Sequence, residues 1–275
     1  MTLLPEVEVL RKDLEREVVG KRIKDVTVKT ASIVGRHRNR PEFVKALVGH
    51  KIEALQRRGT HLVFALDGEA ALIVRLGSQG TLSKLTGSAP MAKHTQVAAT
   101  FTQGGSLHVV DPAKDGELWV ADAEELGALP ELSPEGIDPL TDTFTWPSFS
   151  QELRSRNVPL RTVLKDDSFI VGLGDVYADE ILWAAGLSGE RRSAMLSSQE
   201  FRRLYRAVQE VLQEAVKQGG TDEPTDYDDD EEVESGEFLR VFGRTGMACP
   251  RCRQPIHAAT QADGSEAYFC ANCQT

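Results

Sequence analysis

The first periodic pattern in the chain is a set of apolar residues, spaced three or four apart, near its start. This spacing places them on one face of a helix, and Pro5 and Gly20 stand where a first helical turn and a helix end favour those residue types. The sequence therefore predicts an amphipathic first helix. Its apolar face consists of Val7, Leu10, Leu14 and Val18.

A different pattern follows from residue 21 to about residue 120, where short apolar runs are broken by glycine, aspartate or serine. Such runs are typical of strands, and several in succession favour an antiparallel arrangement. The sequence predicts an α+β fold in which an antiparallel β-sandwich follows the first helix. The runs are KIEALQRRGTHLVFAL, EAALIVRLG, TQVAATFTQ and SLHVVD.

Helical patterns dominate the second half of the chain. The segments TWPSFSQELRSR and SSQEFRRLYRAVQEVLQEAVKQGG predict helices, whereas residues 130–144 are rich in Pro, Asp and Thr and predict a linker. We expect two main domains with smaller parts attached. The predicted divisions are an N-terminal β-sandwich domain at 1–129, the linker, a helical domain at 145–220, an acidic insert at 221–237 and a C-terminal zinc finger at 238–275.

Two more helices are predicted on either side of the turn Gly172-Leu173-Gly174-Asp175. Two glycines allow a tight turn, and Asp175 suits the N-cap of the second helix, which Gly186 would end. Exposed N–H groups at such a helix start can bind a phosphate. A plain helical hairpin explains the same residues. The apolar faces contain Leu160, Val163 and Leu164 before the turn and Val176, Ile181, Leu182 and Ala185 after it.

Charge is distributed unevenly along the 275 residues, whose net charge is −10. Residues 221–235 hold nine carboxylates and no basic residue, and the rest of the chain has 33 acidic against 32 basic residues. The body could therefore carry a basic groove. A run of this kind is typical of a solvated, disordered segment, and the alternative is a tail that competes with a polyanion. No apolar run reaches the roughly 18 residues of a membrane span, and no secretory signal pattern precedes the first helix. We expect a cytoplasmic protein.

All four cysteines lie in the last 27 residues, as Cys249-x2-Cys252 and Cys270-x2-Cys273 separated by 17 residues. Two such pairs can place four thiolates at the corners of a tetrahedron, which is the geometry that Zn²⁺ prefers. The spacing predicts one structural Zn²⁺ in a ribbon. Two disulfides are the alternative, which a cytoplasmic location disfavours. His257 lies between the pairs, and a fifth ligand is not required.

The pattern Gly172-x-Gly174-x-x-Tyr177-Ala178-Asp179-Glu180, followed by the four cysteines, resembles the formamidopyrimidine/endonuclease VIII family of DNA glycosylases. The resemblance runs from residue 4 to residue 274. It implies a helix–two-turn–helix motif and a zinc ribbon that hold the backbone of double-stranded DNA in a cleft between two domains. The other matching motifs are Leu4-Pro5-Glu6-Val7-Glu8, Arg57-Arg58-Gly59, Leu76-Gly77-x-x-Gly80, Lys93-His94, Asp111-Pro112 and Cys273-Gln274.

The resemblance also implies which residues of this chain contact DNA. A separate basic run, GRHRNRP with Arg36, His37, Arg38 and Arg40, is either a further DNA contact or a solvated loop. The contacts that the resemblance implies are Arg57, Arg58, Lys93, His94, Lys114, Arg161, Gly174, Asp175, Tyr177 and Arg244.

The chain departs from the family pattern at most positions that carry chemistry. The family removes its initiating Met and uses the α-amine of a proline to attack the sugar, and a glutamate follows it; here these positions hold Thr2 and Leu3. Scaffold residues remain, whereas the side chains implied to extrude a base or grip phosphate are replaced. The other departures are Thr60 for a lysine, Ser78 for a methionine, Ala113 for an arginine, Asp115 for a phenylalanine, Asp175 for an asparagine and Ser265 for an arginine.

One reaction of the family remains open to this chain. Thr2 is small enough for removal of the initiating Met, and its primary amine could then form a Schiff base with an opened abasic sugar. Glu6 is the nearest retained carboxylate. It is either part of the active site or a favourable charge in the first turn of a helix.

Three functions compete. The chain is a base-excision-repair enzyme that uses Thr2 as an abasic-site lyase or a narrowed glycosylase, a binding module that recognises damaged DNA without turnover, or a protein-interaction scaffold. We favour binding of damaged or abasic double-stranded DNA by a monomer that associates with the nucleoid. A protein partner could bind the acidic segment 221–235, and we expect no contact with a membrane.

Overall fold

The computed structural model describes residues 2–86, 91–133, 135–221 and 238–275. The chain divides into two compact units, Met1–Ser133 and Pro134–Thr275. Residues 222–237, which include all but one position of the predicted acidic insert, lie outside the described residues. The finer division into domain, linker and finger stays a prediction.

The first unit begins with helix α1, Leu4–Val18, which confirms the helix expected from the periodicity. Pro5 lies in its first turn, and the apolar face packs inward with Val7, Leu14 and Val18 buried. This helix holds the start of the chain against the strands that follow.

The described residues of the first unit also form two four-stranded sheets, in which every neighbouring pair of strands is antiparallel. One sheet has the order β1-β6-β7-β5 and the other β2-β3-β4-β8. A single apolar cluster draws on α1 and both sheets, so the sheets pack face to face as the predicted sandwich. The strands are β1 Ile23–Val28, β2 Ile52–Arg58, β3 His61–Leu66, β4 Ala70–Arg75, β5 Thr81–Leu85, β6 Thr95–Phe101, β7 Ser106–Val110 and β8 Glu117–Asp122.

Helix α2, Arg40–Leu47, lies in a region for which only strands were predicted. Its start has a recognisable signal, because the Asn39 side chain accepts the Glu42 N–H and a proline occupies the first turn. Just before it, Arg36 stacks on Trp119 with its guanidinium carbon 3.7 Å from the ring centroid, and it pairs with Glu117. The Arg36 side chain of the basic run therefore has a structural role.

The part of the second unit that the structure describes contains four α-helices and, near its C-terminal end, a two-stranded hairpin of β9 (His257–Thr260) and β10 (Glu266–Phe269). Glu180 is buried and accepts the N–H groups of Arg240, Val241 and Phe242, which attaches residues 238–275 to the helix that carries Glu180. No described helix has the length and apolarity needed to cross a membrane. The helices are α3 Trp146–Ser155, α4 Leu160–Leu164, α5 Gly174–Ala185 and α6 Ser198–Gln218.

Candidate functional site

The four cysteines form one cluster, with all their Sγ atoms within 4.8 Å of one another. Cys249 Sγ lies 3.9 Å from Cys273 Sγ, and Cys252 Sγ lies 3.4 Å from Cys270 Sγ. A tetrahedron with metal–sulfur bonds of about 2.3 Å has edges of about 3.8 Å, so the cluster fits one metal ion. All four thiols are free, which removes the disulfide alternative for this structure.

The cluster is supported by the C-terminal end of α5. Trp183 Nε1 donates to Cys249 Sγ at 3.5 Å, and Arg251 stacks on the Trp183 ring while donating to the carbonyl oxygens of Trp183 and Ala184. Burial raises the pKa of the Cys249 thiol, but hydrogen bonds from backbone N–H groups and from Trp183 outweigh it and lower the pKa to about 6. The thiolate that a metal requires is therefore favoured at this position.

The turn before α5 uses two glycines in the left-handed region, Gly172 at φ 68° and Gly174 at φ 56°. The helix begins at Gly174, so the expected N-cap role of Asp175 is wrong; Asp175 lies inside the first turn. Its carboxylate is bound by two cations. Asp175 Oδ1 lies 2.7 Å from Arg161 Nη2 and 2.7 Å from Lys165 Nζ.

Arg161, an implied DNA contact, is buried, and its guanidinium donates hydrogen bonds to several groups of its own unit. Its Nε donates to Asp179 Oδ1 at 2.7 Å and its Nη2 donates to the Glu266 carbonyl oxygen at 2.8 Å. Burial raises the pKa of Asp179 above its usual value, and the Arg161 and Tyr268 N–H donors offset only part of that rise. In this conformation Arg161 has no exposed guanidinium edge to offer DNA.

Ser265, which stands where the resemblance implies an arginine, belongs to the same network. Its Oγ donates to Asp263 Oδ1 at 2.7 Å, and Asp263 Oδ2 pairs with Lys165 at 2.9 Å. Burial would lower the pKa of Lys165, but its bonds to Asp175 and Asp263 outweigh burial and raise it. Lys165 was not among the residues predicted from the sequence, although it follows Arg161 by four residues at the end of α4, a spacing that brings two side chains to one helix face.

Tyr177, also an implied DNA contact, is fully buried. It is one of the largest fully buried side chains in the described chain, so its ring contributes to the core of the second unit. The expected DNA contact of Tyr177 stays a prediction.

At the other end of the chain, Thr2 is buried directly before α1, and its Oγ1 donates to the Gly77 carbonyl oxygen at 2.8 Å. Glu6 is buried in the first turn of α1. The two candidate catalytic residues thus belong to one buried segment beside the turn that follows β4. Leu3, between them, offers no acid or base.

The loop at residues 111–116 folds onto the same turn. A Cβ on Gly77 would lie 2.2 Å from Asp115 Oδ1 and 2.8 Å from Asp111 Oδ1, so only glycine fits there. Asp115 Oδ1 accepts the Ser78 N–H at 3.0 Å. Burial opposes ionisation of Asp115, but the bonds from Ser78 outweigh it and lower its pKa. The acid that replaces the family's phenylalanine is therefore a local turn-forming residue.

The remaining implied DNA contacts differ in exposure and in hydrogen bonding. Arg57 Nε pairs with Glu8 Oε2 at 2.9 Å, and Arg58 Nη1 donates to the Leu126 carbonyl oxygen at 3.3 Å. Lys93, His94 and Lys114 are exposed, and the Nε of Arg244 has no hydrogen-bond partner among the described residues.

The sandwich with its N-terminal helix and the helical unit with its four-cysteine ribbon define the class of protein, a DNA-glycosylase scaffold. The family model for the formamidopyrimidine-DNA glycosylase N-terminal domain matches residues 1–118, and the model for the H2TH domain of the same enzymes matches residues 136–225. The chain belongs to the formamidopyrimidine-DNA glycosylase family.

Individual relatives agree with this assignment. The formamidopyrimidine-DNA glycosylase of Pelotomaculum thermopropionicum is 34% identical over all of this chain and 99% of its own length, and that of Moorella thermoacetica is 37% identical over 93% of each. Lactococcus lactis Fpg, solved in complex with DNA containing an abasic site, matches with a TM-score of 0.86, 28% identity and 99% coverage of both chains. MutM in complex with DNA containing carbocyclic 8-oxo-G matches equally well, with a TM-score of 0.86 and 28% identity.

Proposed function

We propose that this protein binds damaged or abasic double-stranded DNA in base-excision repair and that its chemistry is confined to the abasic sugar. The observation that carries the proposal is the retained scaffold with Thr2 buried beside the Gly77 turn. Support comes from relatives of the same fold that were solved with abasic-site and 8-oxo-G DNA.

The reactive group in this proposal is the α-amine of Thr2 after removal of Met1. An α-amine has an ordinary pKa of about 7.7–8.0, which leaves a useful neutral fraction near pH 7. It adds to the C1′ aldehyde of an opened abasic sugar and water leaves, giving a Schiff base. A carboxylate then accepts the C2′ proton as the C3′–O bond breaks, and Glu6 is the candidate for that role.

Base excision, the release of the damaged base from its sugar, is a separate step, and the side chains at the corresponding positions disfavour it. Leu3 replaces the glutamate that handles protons on the sugar, and loss of a positioned acid or base typically costs about 10²–10⁴ in rate. Ala113 and Ser78 are too small to fill the gap that an extruded base leaves. We therefore expect reaction with abasic sites and little release of damaged bases.

The proposed DNA contacts are the exposed basic side chains of Lys93, His94 and Lys114, together with the half-buried Arg244. Arg57 donates to Glu8 and to the Gly59 carbonyl oxygen, and Arg58 Nη1 donates to the Leu126 carbonyl oxygen, so these donors are used within the first unit. We further propose that the four-cysteine cluster holds Zn²⁺, which four thiolates in a tetrahedral arrangement favour and which would stabilise the ribbon rather than take part in the reaction. We also propose that the protein is a monomer, that it associates with the nucleoid in the cytoplasm and that the acidic segment 221–235 binds a protein partner.

Borohydride trapping on an abasic duplex tests the reaction. The protein with Met1 shown by intact mass to be absent should give a covalent adduct with the mass of the protein plus the oligonucleotide that carries the sugar. Thr2→Arg is the matched control, because a large second residue retains Met1 and moves the amine by one residue. An adduct of equal yield from the control, or none from the mature protein, contradicts the role of Thr2.

A second candidate function is a catalytically inactive module that recognises DNA structure or binds a protein partner. The internal pairing of Arg161 with Asp175 favours it, since that pair removes an implied phosphate contact. This function predicts no trapping under any condition. DNA binding that weakens steeply with salt would then support the DNA-binding form, and absence of binding would support the protein-binding form.

A further inference from the structure

One peptide group near the start of the chain is hydrogen-bonded at both of its ends. Thr2 Oγ1 donates to the Gly77 carbonyl oxygen at 2.8 Å, and Asp115 Oδ1 accepts the N–H of Ser78 at 3.0 Å. That carbonyl and that N–H belong to the same peptide bond, whose oxygen and nitrogen are about 2.3 Å apart. The side-chain oxygens of Thr2 and Asp115 therefore lie within about 8 Å of each other.

The loop that carries Asp115 is anchored by hydrogen bonds. Asp111 is 1% exposed, and its carboxylate accepts the N–H groups of Lys114 at 2.9 Å and Gly116 at 2.8 Å. Arg75 Nη2 donates to the Asp115 carbonyl oxygen at 3.0 Å. Asp115 itself is exposed. The loop thus holds the carboxylate of an exposed residue at a defined place beside the turn that follows β4.

The surroundings favour the ionised form of Asp115. Burial raises its pKa, but hydrogen bonds from Ser78, with a contribution from the positive charge of the chain's N-terminus, outweigh burial and lower the pKa. The same attraction stabilises a positive charge on the amine, because an interaction energy is shared by both partners. After removal of Met1, the amine concerned is that of Thr2.

Schiff-base formation changes the charge on this nitrogen. The neutral amine forms a bond to C1′ of the opened abasic sugar, the C1′–oxygen bond breaks, and the oxygen leaves as water with one proton from the nitrogen and one from solvent. The product is a cation. We propose that Asp115 is the counter-ion of the Thr2 nitrogen, stabilising the ammonium before the reaction and the protonated Schiff base after it. The sugar as reactant rests on the proposed function; the pairing of carboxylate and amine does not.

Other charged groups of this region have different roles. Asp111 is engaged by N–H groups of its own loop, and Glu6 is buried in the first turn of α1. Lys114 in the same loop and Arg75 at the end of β4 bring positive charge, which limits the effect of Asp115 on the amine. Asp115 acts on a nitrogen that is bonded to an already opened sugar, so it does not supply the acid that base release needs.

The test is Asp115→Asn, which keeps an acceptor oxygen for the Ser78 N–H and removes the charge. Asp67→Asn is the matched control, because Asp67 Oδ1 accepts the Lys51 N–H at 2.8 Å in the same unit, at the opposite end of β4. The first measurement is the pKa of the Thr2 amine after treatment with methionine aminopeptidase, from the pH dependence of its reductive methylation by formaldehyde. For charges about 8 Å apart beside water, we expect it to fall by about 0.5 in Asp115→Asn only.

The second measurement is the rate of borohydride trapping on an abasic duplex across pH. Below the amine pKa, the ammonium and the Schiff base are both cations, so loss of the counter-ion should leave the rate of Asp115→Asn unchanged. Above it only the Schiff base is a cation, and the variant should be about threefold slower, which is a pKa change of about 0.5 expressed as a rate ratio. A loss of equal size at every pH would mean that Asp115 only shapes the turn, and would overturn the proposal.

Asp115→Ser covers the case in which Asp115→Asn does not fold, since it also removes the charge and is smaller where the side chain approaches Gly77. The measurement on the amine needs no DNA. If the unaltered protein without Met1 gives no adduct with the abasic duplex, the proposed function fails, while the pKa of the amine still decides the role of Asp115. The same amine pKa in the unaltered protein and in these neutral variants would overturn the counter-ion.

Discussion

At the scale of single residues, the chain uses carboxylates where its family resemblance implies donors or aromatic rings. Asp175 and Asp115 both lie at such positions, and both are held by groups of their own unit. Their effect on DNA is therefore indirect. Asp175 engages two cations, and Asp115 shapes the turn beside Thr2.

The buried ion pair between Arg161 and Asp179 gives a prediction on stability. Asp179→Asn removes the buried charged partner of Arg161 and leaves only its pair with the half-exposed Asp175, and breaking a buried pair costs about 3 kcal/mol in the free energy of unfolding. Urea unfolding monitored by circular dichroism measures it. Asp166→Asn, from an exposed pair, should cost about 1 kcal/mol or less, and equal losses in the two variants would contradict this account.

His61 gives a prediction on pH. It lies in β3, is 7% exposed and has no hydrogen-bond partner for either ring nitrogen among the described residues. Burial, with a contribution from the charge of Arg75, lowers its pKa from 6.5 to about 4. The unfolded chain therefore binds a proton that the folded chain does not, and stability declines as pH falls from about 6.5 to 4.

The size of that loss is about 3 kcal/mol for a shift of this magnitude. Unfolding of the original protein and of His61→Phe at pH 7.5 and pH 4.5 measures it as a difference, which cancels the other titrating groups. His257→Gln is the control, since His257 is exposed. Equal pH slopes for the original protein and His61→Phe would show that His61 is not buried in its neutral form.

At the scale of elements, the C-terminal ribbon is held by its cysteines and by α5. The apolar cluster around it contains Trp183, Val241 and Ile256 together with Cys249 and Cys270. A cluster this small provides little apolar burial, so we expect a metal ion bound by the four cysteines to supply most of the ribbon's stability.

Metal content tests that reading. The purified protein should release one Zn²⁺ per chain when its thiols are blocked, and Cys252→Ser should hold far less. His257→Ala should keep full occupancy, because His257 lies outside the cysteine cluster. A chromogenic chelator measures the release, and retention of one Zn²⁺ by Cys252→Ser would contradict a four-thiolate site.

Elements with a local signal could be predicted from the sequence, and contacts between distant residues could not. Helix α1, the long helix α6 and the cysteine quartet follow from spacing within a few residues. The bond from Lys165 to Asp263 joins residues 98 apart, and no periodicity encodes it. Helix α2 was missed because its eight residues are too short for a clear period, although its Asn39 cap was visible.

At the scale of the whole molecule, the net charge disfavours binding to DNA, whereas the scaffold is that of a DNA-glycosylase family. The net charge of −10 opposes binding to DNA, and nine of the carboxylates belong to residues 221–235. A chain without that run is nearly neutral. Long-range repulsion from the run is screened by salt over about 10 Å at 0.1 M.

Replacing the nine carboxylates of 221–235 by their amides should therefore strengthen binding to duplex DNA at low salt. The gain should disappear at high salt, where screening removes the repulsion. Fluorescence anisotropy on a labelled abasic duplex at two salt concentrations measures both effects. Identical affinity of the two proteins at low salt would show that the run does not oppose DNA.

The measurement that tests the central claim most directly compares two duplexes of one sequence, one with an abasic site and one with an intact oxidised purine. The mature protein is incubated with each, and covalent trapping and free base are quantified together. The account predicts a trapped adduct with the abasic duplex and negligible base release from the oxidised one, since Thr2 keeps an amine while Leu3 carries no proton. Efficient release of the oxidised base, or no adduct with either duplex, would contradict it.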